Sequence, residues 1–210
     1  QREAKRYTES LIAHHTSGRL KVAPEHTSPN VLKIMRKPPF SLFERFTRIF
    51  DEVNKKYGLK QQLIPYFISS HPNSHEVAMA ELAVLTKRLN FHLEQVQDFT
   101  PTPMTLATEI YYTGYHPYTL EKLYCAISPE EKRKQRRYFF WYKPEERRKL
   151  IQALQSLHRP DLIEALFGQH VTRQPESPKK KNPRQSPHEH SSHARSSKNK
   201  SSKTNFSKRR

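Results

Sequence analysis

Three short apolar runs, separated by amphipathic segments, constrain the fold of this chain more than any single motif. The runs lie at 20–23 (LKVA), 62–69 (QLIPYFIS) and 91–99 (FHLEQVQDF). A helical stretch at 2–16, stopped by Gly18, precedes the first run. Two helices separate the first run from the second. Ser28 caps one of them, with Pro29 in its first turn and Val31, Leu32 and Met35 on one face. Ser41 and Glu44 have the spacing of a capping box for the other. It carries Leu42, Phe43, Phe46, Ile49, Phe50, Val53 and Tyr57 at helical spacing and ends at Gly58. Ser74 caps a further helix running to Leu89, ahead of the third run. Strands alternating with amphipathic helices predict parallel strands joined by right-handed crossovers. Three such units amount to about half of a (β/α) barrel. Pro65 lacks an N–H and argues against a central place for the second strand.

Beyond residue 110 the pattern changes. Residues 111–128 are aromatic and rich in turn formers. Ser128-Pro129-Glu130-Glu131 is a second capping-box sequence, predicting a helix through "RYFFWY" that Pro144 breaks. A last helical stretch, 145–167, carries Leu150, Ile151, Leu154, Leu157, Leu162, Ile163, Leu166 and Phe167. From Val171 onward the chain is Ser, Lys, Arg, Pro, Asn and His, with too little apolar area to offset ordering entropy. The expected fold class is α/β: a partial (β/α) barrel over 1–108, a mainly helical extension over 109–170 and a disordered basic tail over 171–210.

The formal net charge is +18. Residues 171–210 hold 12 Lys/Arg against 2 Asp/Glu, a net +10, which leaves +8 on residues 1–170. Such an excess predicts salt-sensitive attraction to polyanions and nothing more specific. Cys125 is the one cysteine, so no intrachain disulfide forms and this chain alone cannot ligate an iron–sulfur cluster. No run of about 18 apolar residues predicts a membrane span, and the expected compartment is the cytoplasm. The sequence opens without Met, already inside a helical pattern, and reads as part of something longer.

Three segments in order, "GRLKVAPEHTSPNVLKIMRKP", "KQQLIPYFISSHP" and "LEQVQDFTPTPMTLAT", resemble the YgiQ-type radical S-adenosylmethionine proteins, a family of long bacterial and archaeal chains. "YYTGYHPYTLEKLY" through "RYFFWYKPEERR" resembles the C-terminal region of the same family, so the likeness covers residues 8–168. The resemblance implies the second half of a radical S-adenosylmethionine barrel, with strands four to six and a C-terminal extension. It also implies S-adenosylmethionine and a [4Fe–4S] cluster as cofactors of the full-length protein. Reductive cleavage there gives a 5′-deoxyadenosyl radical that abstracts hydrogen from a substrate. The family's Cys-x3-Cys-x2-Cys loop is missing from these residues. The cluster would belong to an N-terminal half, the implied partner of this chain, and the piece alone would be inactive. The resemblance names no substrate.

Glu25 and His26 directly follow the first strand, where ligands of barrels sit. The resemblance gives Glu25 to the cofactor's ribose or methionine end; the plainer readings are a solvated turn or a carboxylate capping the helix at Ser28. His26 reads as a substrate-facing base or proton relay, or as a structural histidine. Ser69, Ser70 and His71 follow the second strand, where the resemblance implies contact with the adenine; an ordinary strand-to-helix loop is the alternative. Gln95, Gln97 and Asp98 alternate along the third strand, with Gln95 and Gln97 on one face and Asp98 on the other. They are candidates to face substrate, against a hydrogen-bond network inside the barrel. The mix of cations and aromatics in "RKQRRYFFWYKPEERR" suits RNA stacking, but fits an amphipathic helix better. "HEHSSH" at 188–193 has spacings for weak Ni or Zn binding in a tail where such histidines are more often incidental.

The resemblance implies one function, and the basic charge suggests another. One is an enzyme: part of a radical S-adenosylmethionine protein, with nonspecific RNA contact through the tail. The other is a binding module: a basic RNA- or ribosome-binding adaptor with a non-catalytic barrel remnant.

Overall fold

In the computed structural model, residues 2–93 and 96–168 are described. The elements follow in the order α1 (Arg2–His15), β1 (Arg19–Glu25), α2 (Pro29–Ile34), α3 (Phe40–Tyr57), β2 (Gln62–Ser69), α4 (Glu76–Arg88) and β3 (Val96–Asp98). Then come α5 (Leu106–Thr113), α6 (Pro129–Arg137), a 3-10 turn (Tyr138–Phe140), α7 (Pro144–Ser156) and α8 (Pro160–Phe167). The chain is thus mixed α/β, with a three-stranded parallel sheet in the order β1-β2-β3. Among the described residues no helix is long and apolar enough to cross a membrane.

β2 is central despite Pro65, and the register explains why. β3 pairs with β2 only from Phe67 to Ser69, so Pro65 has a strand on one side alone, opposite Val22 of β1. A proline is tolerated where the side of its missing N–H is unpaired. The third strand is also shorter than its alternation suggested: Phe91 to Leu93 are not strand.

Other local expectations change. Pro39, not Ser41, precedes α3, and Glu44 spends its carboxylate on Arg88 at 2.9 Å instead of closing a capping box. His75, not Ser74, precedes α4, because the Ser74 hydroxyl is used in the interior. A helix not expected from the sequence, α5, takes in the first residues of the 111–128 segment; it is capped by Thr105 through the Thr108 N–H and ended by Gly114 at φ 73°. The predicted 145–167 helix is two helices, because Pro160 starts α8 after His158 turns left-handed at φ 53°. The Ser128–Glu131 capping box forms as the sequence predicts, with both reciprocal bonds present.

The helices pack on one side of the sheet. Phe67, fully buried, meets Leu32 of α2, Phe40 and Phe43 of α3, Met79 and Leu82 of α4, and Tyr138, Leu150, Leu154 and Ile163 from the C-terminal helices in one apolar core. Ile12 of α1 joins Phe50 and Val53 of α3 against Leu20 and Leu63 in a second cluster. The other side of the sheet is open. Lys21, Ala23 and Gln97 are exposed, and Ile64, Tyr66 and Ile68 are only half-buried although β2 is the middle strand. The Tyr66 hydroxyl bonds the Gln97 carboxamide oxygen across that open face. Parallel sheets are ordinarily covered on both faces.

Phe67→Ala is expected to destabilise the chain by about 3–5 kcal/mol through lost burial and a residual cavity. Met104→Ala, at a fully exposed side chain, should stay within about 0.5 kcal/mol of the parent. Urea melts of the two variants beside the parent check this.

Candidate functional site: the carboxyl ends of the strands

β1 reaches its end through a one-residue bulge. Val22 stands opposite Pro65 but Glu25 stands opposite Phe67, so three residues of β1 match two of β2. The bulge brings Glu25 level with the buried Phe67. Glu25 itself has φ 67°, and the His26 N–H donates to the Pro24 carbonyl at 2.8 Å, which makes a strained γ-turn centred on the glutamate. Its Oε1 accepts from Lys37 Nζ at 3.0 Å, and the same ammonium reaches the Ala23 carbonyl at 2.9 Å. Oε2 is buried and has no hydrogen-bond partner. The carboxylate does not cap α2; the Thr27 and Ser28 N–H groups donate instead to His26 Nδ1 at 2.9 and 3.0 Å.

That pair of bonds fixes the histidine tautomer. With Nδ1 accepting twice, the proton sits on Nε2, which donates to Ser74 Oγ at 3.2 Å. The Ser74 hydroxyl donates in turn to Gln135 Oε1 at 3.0 Å. Gln135 Oε1 also accepts from the Ser70 N–H at 2.9 Å, and its Nε2 donates to the Ser74 carbonyl at 2.6 Å. His26, Ser70, Ser74 and Gln135 are all buried. One polar chain therefore ties the exit of β1, the exit of β2, the entry of α4 and the last turn of α6.

Ser70 has φ 61°, and its own hydroxyl is buried without a partner. Five buried side-chain polar atoms lack a hydrogen-bond partner among the described residues, and two of them, Glu25 Oε2 and Ser70 Oγ, lie at the ends of neighbouring strands. Left-handed backbone at non-glycine residues costs about 1–3 kcal/mol and concentrates at functional positions. Native proteins rarely strand a buried polar atom. Ser69 turns the other way: its hydroxyl donates to Asp98 Oδ1 at 2.5 Å, and Asp98 Oδ2 pairs with Arg136 at 3.1 Å. His71 Nδ1 lies 3.0 Å from the Pro72 carbonyl, and its ring meets Phe99 edge-on with centroids 5.0 Å apart.

The predicted site residues thus fall into separate groups. Glu25, Ser69, Ser70 and His71 gather at the carboxyl ends of β1 and β2. His26 stands behind them in the buried network. Gln97 faces the open side of the sheet, and Asp98 faces the helices. Gln95 and the histidines at 188–193 lie outside the described residues. Among the described residues no three His, Cys, Asp or Glu side chains converge as metal ligands. Gln135 was not foreseen. Its signal was a polar residue three positions before Tyr138 and four before Phe139, on the apolar face of an otherwise charged helix.

Burial governs the titration of this end of the sheet. Desolvation, with a smaller contribution from His71, pushes His26 down to about 3, and burial lowers His71 and His75 as well. The unfolded chain binds these protons below about pH 6.5, whereas native His26 does not until about pH 3. Stability should therefore fall as pH drops through that window, by up to about 1.4 kcal/mol per pH unit for His26. Urea melts between pH 7 and pH 4.5 should show a shallower slope in His26→Gln, whatever that change costs at pH 7. An identical slope would assign the acid sensitivity elsewhere.

The family description "Domain of unknown function (DUF3362)" matches residues 94–210. A UPF0313 protein of Bacteroides thetaiotaomicron is 62% identical over 168 residues, covering 80% of this chain and 27% of that protein. A UPF0313 protein of Porphyromonas gingivalis is 62% identical over 167 residues, covering 80% and 26%. A UPF0313 protein of Methanocella arvoryzae is 42% identical over 172 residues, covering 82% and 28%. The chain spans about a quarter of the length of these relatives. It belongs to the DUF3362 family, and it is similar to one part of the larger UPF0313 proteins.

Proposed function

We propose that this chain is the second half of a radical S-adenosylmethionine barrel with its C-terminal extension, and that the ends of β1 and β2 supply part of the S-adenosylmethionine pocket. The observation that carries this reading is the pairing of strain with unmet polarity. Glu25 and Ser70, at adjacent strand ends, are both left-handed, and each holds a buried oxygen without a partner. The open face of the sheet supports the same reading, since a barrel would enclose Tyr66 and Gln97 in its lumen. The relatives' much greater length leaves room for the strands that would close it.

The residues present suit the organic cofactor. S-adenosylmethionine presents an ammonium and ribose hydroxyls, which donate, and an adenine ring, which needs small neighbours. Glu25 Oε2 is an acceptor for the former, and Ser70 offers a hydroxyl on a short side chain. The bound cofactor would supply the radical chemistry. The protein residues bind and orient it: Lys37 holds the Glu25 carboxylate, and Gln135 holds the Ser70 backbone. His26 is neutral and buried, with both nitrogens occupied, so it holds the turn in place and relays no proton. Gln97 faces substrate. The residues do not suit the iron–sulfur cluster. Cys125 stands alone, partly buried, with burial pushing its thiol up, so cluster ligands would come from elsewhere in the longer protein. The compartment this reading implies is the cytoplasm.

In the complete protein, Glu25→Gln should weaken S-adenosylmethionine binding by about 1–3 kcal/mol, the range for a charge-assisted hydrogen bond. Melting should shift by less than about 1 kcal/mol, because a partly exposed ion pair contributes little and glutamine still accepts from Lys37. Calorimetric titration beside a thermal melt reads both. Unchanged affinity would return Glu25 to a structural turn.

A second reading rests on charge. With a net +10, residues 171–210 would add nonspecific RNA contact to the barrel's chemistry, or replace that chemistry in an adaptor. Removing them should lower affinity for a single-stranded RNA at low salt and flatten its salt dependence. Equal salt slopes with and without the segment would dismiss it.

A further inference from the structure

We infer that Gln135, on the helical extension, is a positioning residue that sets both cofactor-facing strand ends through one carboxamide; this rests on the cofactor reading above. Its Oε1 receives two hydrogen bonds from different places. The Ser70 N–H fixes the peptide that leads into the left-handed residue with the unpartnered hydroxyl. The Ser74 hydroxyl transmits the same anchor to His26 Nε2, and His26 Nδ1 holds the Thr27 and Ser28 N–H groups just past Glu25. Gln135 Nε2 closes the arrangement on the Ser74 carbonyl. Both its polar atoms are therefore used inside the network, and the side chain is 1% exposed, so it contacts neither solvent nor cofactor. α6 is itself seated by the buried Tyr138, one turn on, whose hydroxyl donates to Glu76 Oε1 at 3.0 Å. Packing of α6 on α4 and the sheet thus fixes where the carboxamide sits. The carboxamide fixes how the two strand ends present Glu25 and Ser70. A helix outside the strand–helix repeat would then control the geometry of a site to which it contributes no contact.

Packing and positioning are separable because methionine keeps the length of Gln135 without its hydrogen bonds, whereas glutamate keeps the acceptor. In the 210-residue chain, Gln135→Met should raise amide exchange at Ser70 roughly tenfold, as expected for one lost net hydrogen bond. The β1–β2 ladder at Leu63 and Ile64 should keep its protection. Gln135→Glu should retain the Ser70 protection. In the complete protein, Gln135→Met should reduce S-adenosylmethionine affinity by about the same factor. Unchanged exchange at Ser70, or a uniform rise across all amides, overturns the inference and leaves Gln135 a packing residue. Should Gln135→Met not fold, Gln135→Glu decides alone: Ser70 protection retained supports the inference, and protection lost overturns it. A selective release of Ser70 in a protein whose parent does not bind S-adenosylmethionine overturns the cofactor reading while the positioning stands.

Discussion

The carboxamide of Gln135 is the contact on which the strand ends depend. It is buried, so every hydrogen bond it makes is strengthened by the low dielectric around it, and every one left unmade would cost the full desolvation of a polar group. It satisfies two donors and one acceptor at once, drawn from the β2 exit and the α4 entry, and through Ser74 it reaches the β1 exit. Helix α4 and the 3-10 turn that follows α6 supply the apolar packing around it, with Met79, Leu82, Tyr138 and Phe139 in the same core. An apolar core alone would hold these elements together without choosing their register. A fully satisfied polar cluster inside it selects one arrangement of the strand ends.

Much of the frame was legible in the sequence because it obeys simple periods. The three parallel strands, the crossover helices and the Ser128 capping box follow from alternation, helical spacing and capping chemistry. What the sequence did not reveal depends on partners far away along the chain. Ser41 and Ser74 both look like helix caps locally, yet Glu44 is drawn to Arg88 and Ser74 to Gln135, 44 and 61 residues distant. Pro65 argued against the centre of a sheet only because the late start of β3 was not visible. α5 was hidden by its aromatics, which suggested turns, although Thr105 and Gly114 bound it as an ordinary short helix.

The candidate site divides in the same way. That polar residues gather where β1 and β2 end could be read from their order. The strain could not: a left-handed glutamate follows from a bulge, and a bulge follows from register with a neighbouring strand. The division of labour between Glu25 and His26 was equally out of reach. Adjacent in sequence, they point to different places, one carboxylate oxygen to Lys37 and the imidazole to the interior. Adjacent Gln97 and Asp98 separate likewise, through the two-residue period of a strand, onto the open and the packed side.

The bulge in β1 also governs what can be added to the sheet. Pro24 has no N–H to offer, and the Ala23 carbonyl is engaged by Lys37. The two groups share one peptide and point to opposite edges of the strand, so at this peptide each edge lacks one ladder partner, while 19–22 keep ordinary backbone groups. A strand joining this edge would be held along those four residues and would part from β1 at the bulge. The sheet would splay at its carboxyl end and stay closed at its amino end. An edge that holds a neighbour along 19–22 and releases it at the bulge is thus written into a proline and a lysine thirteen residues apart.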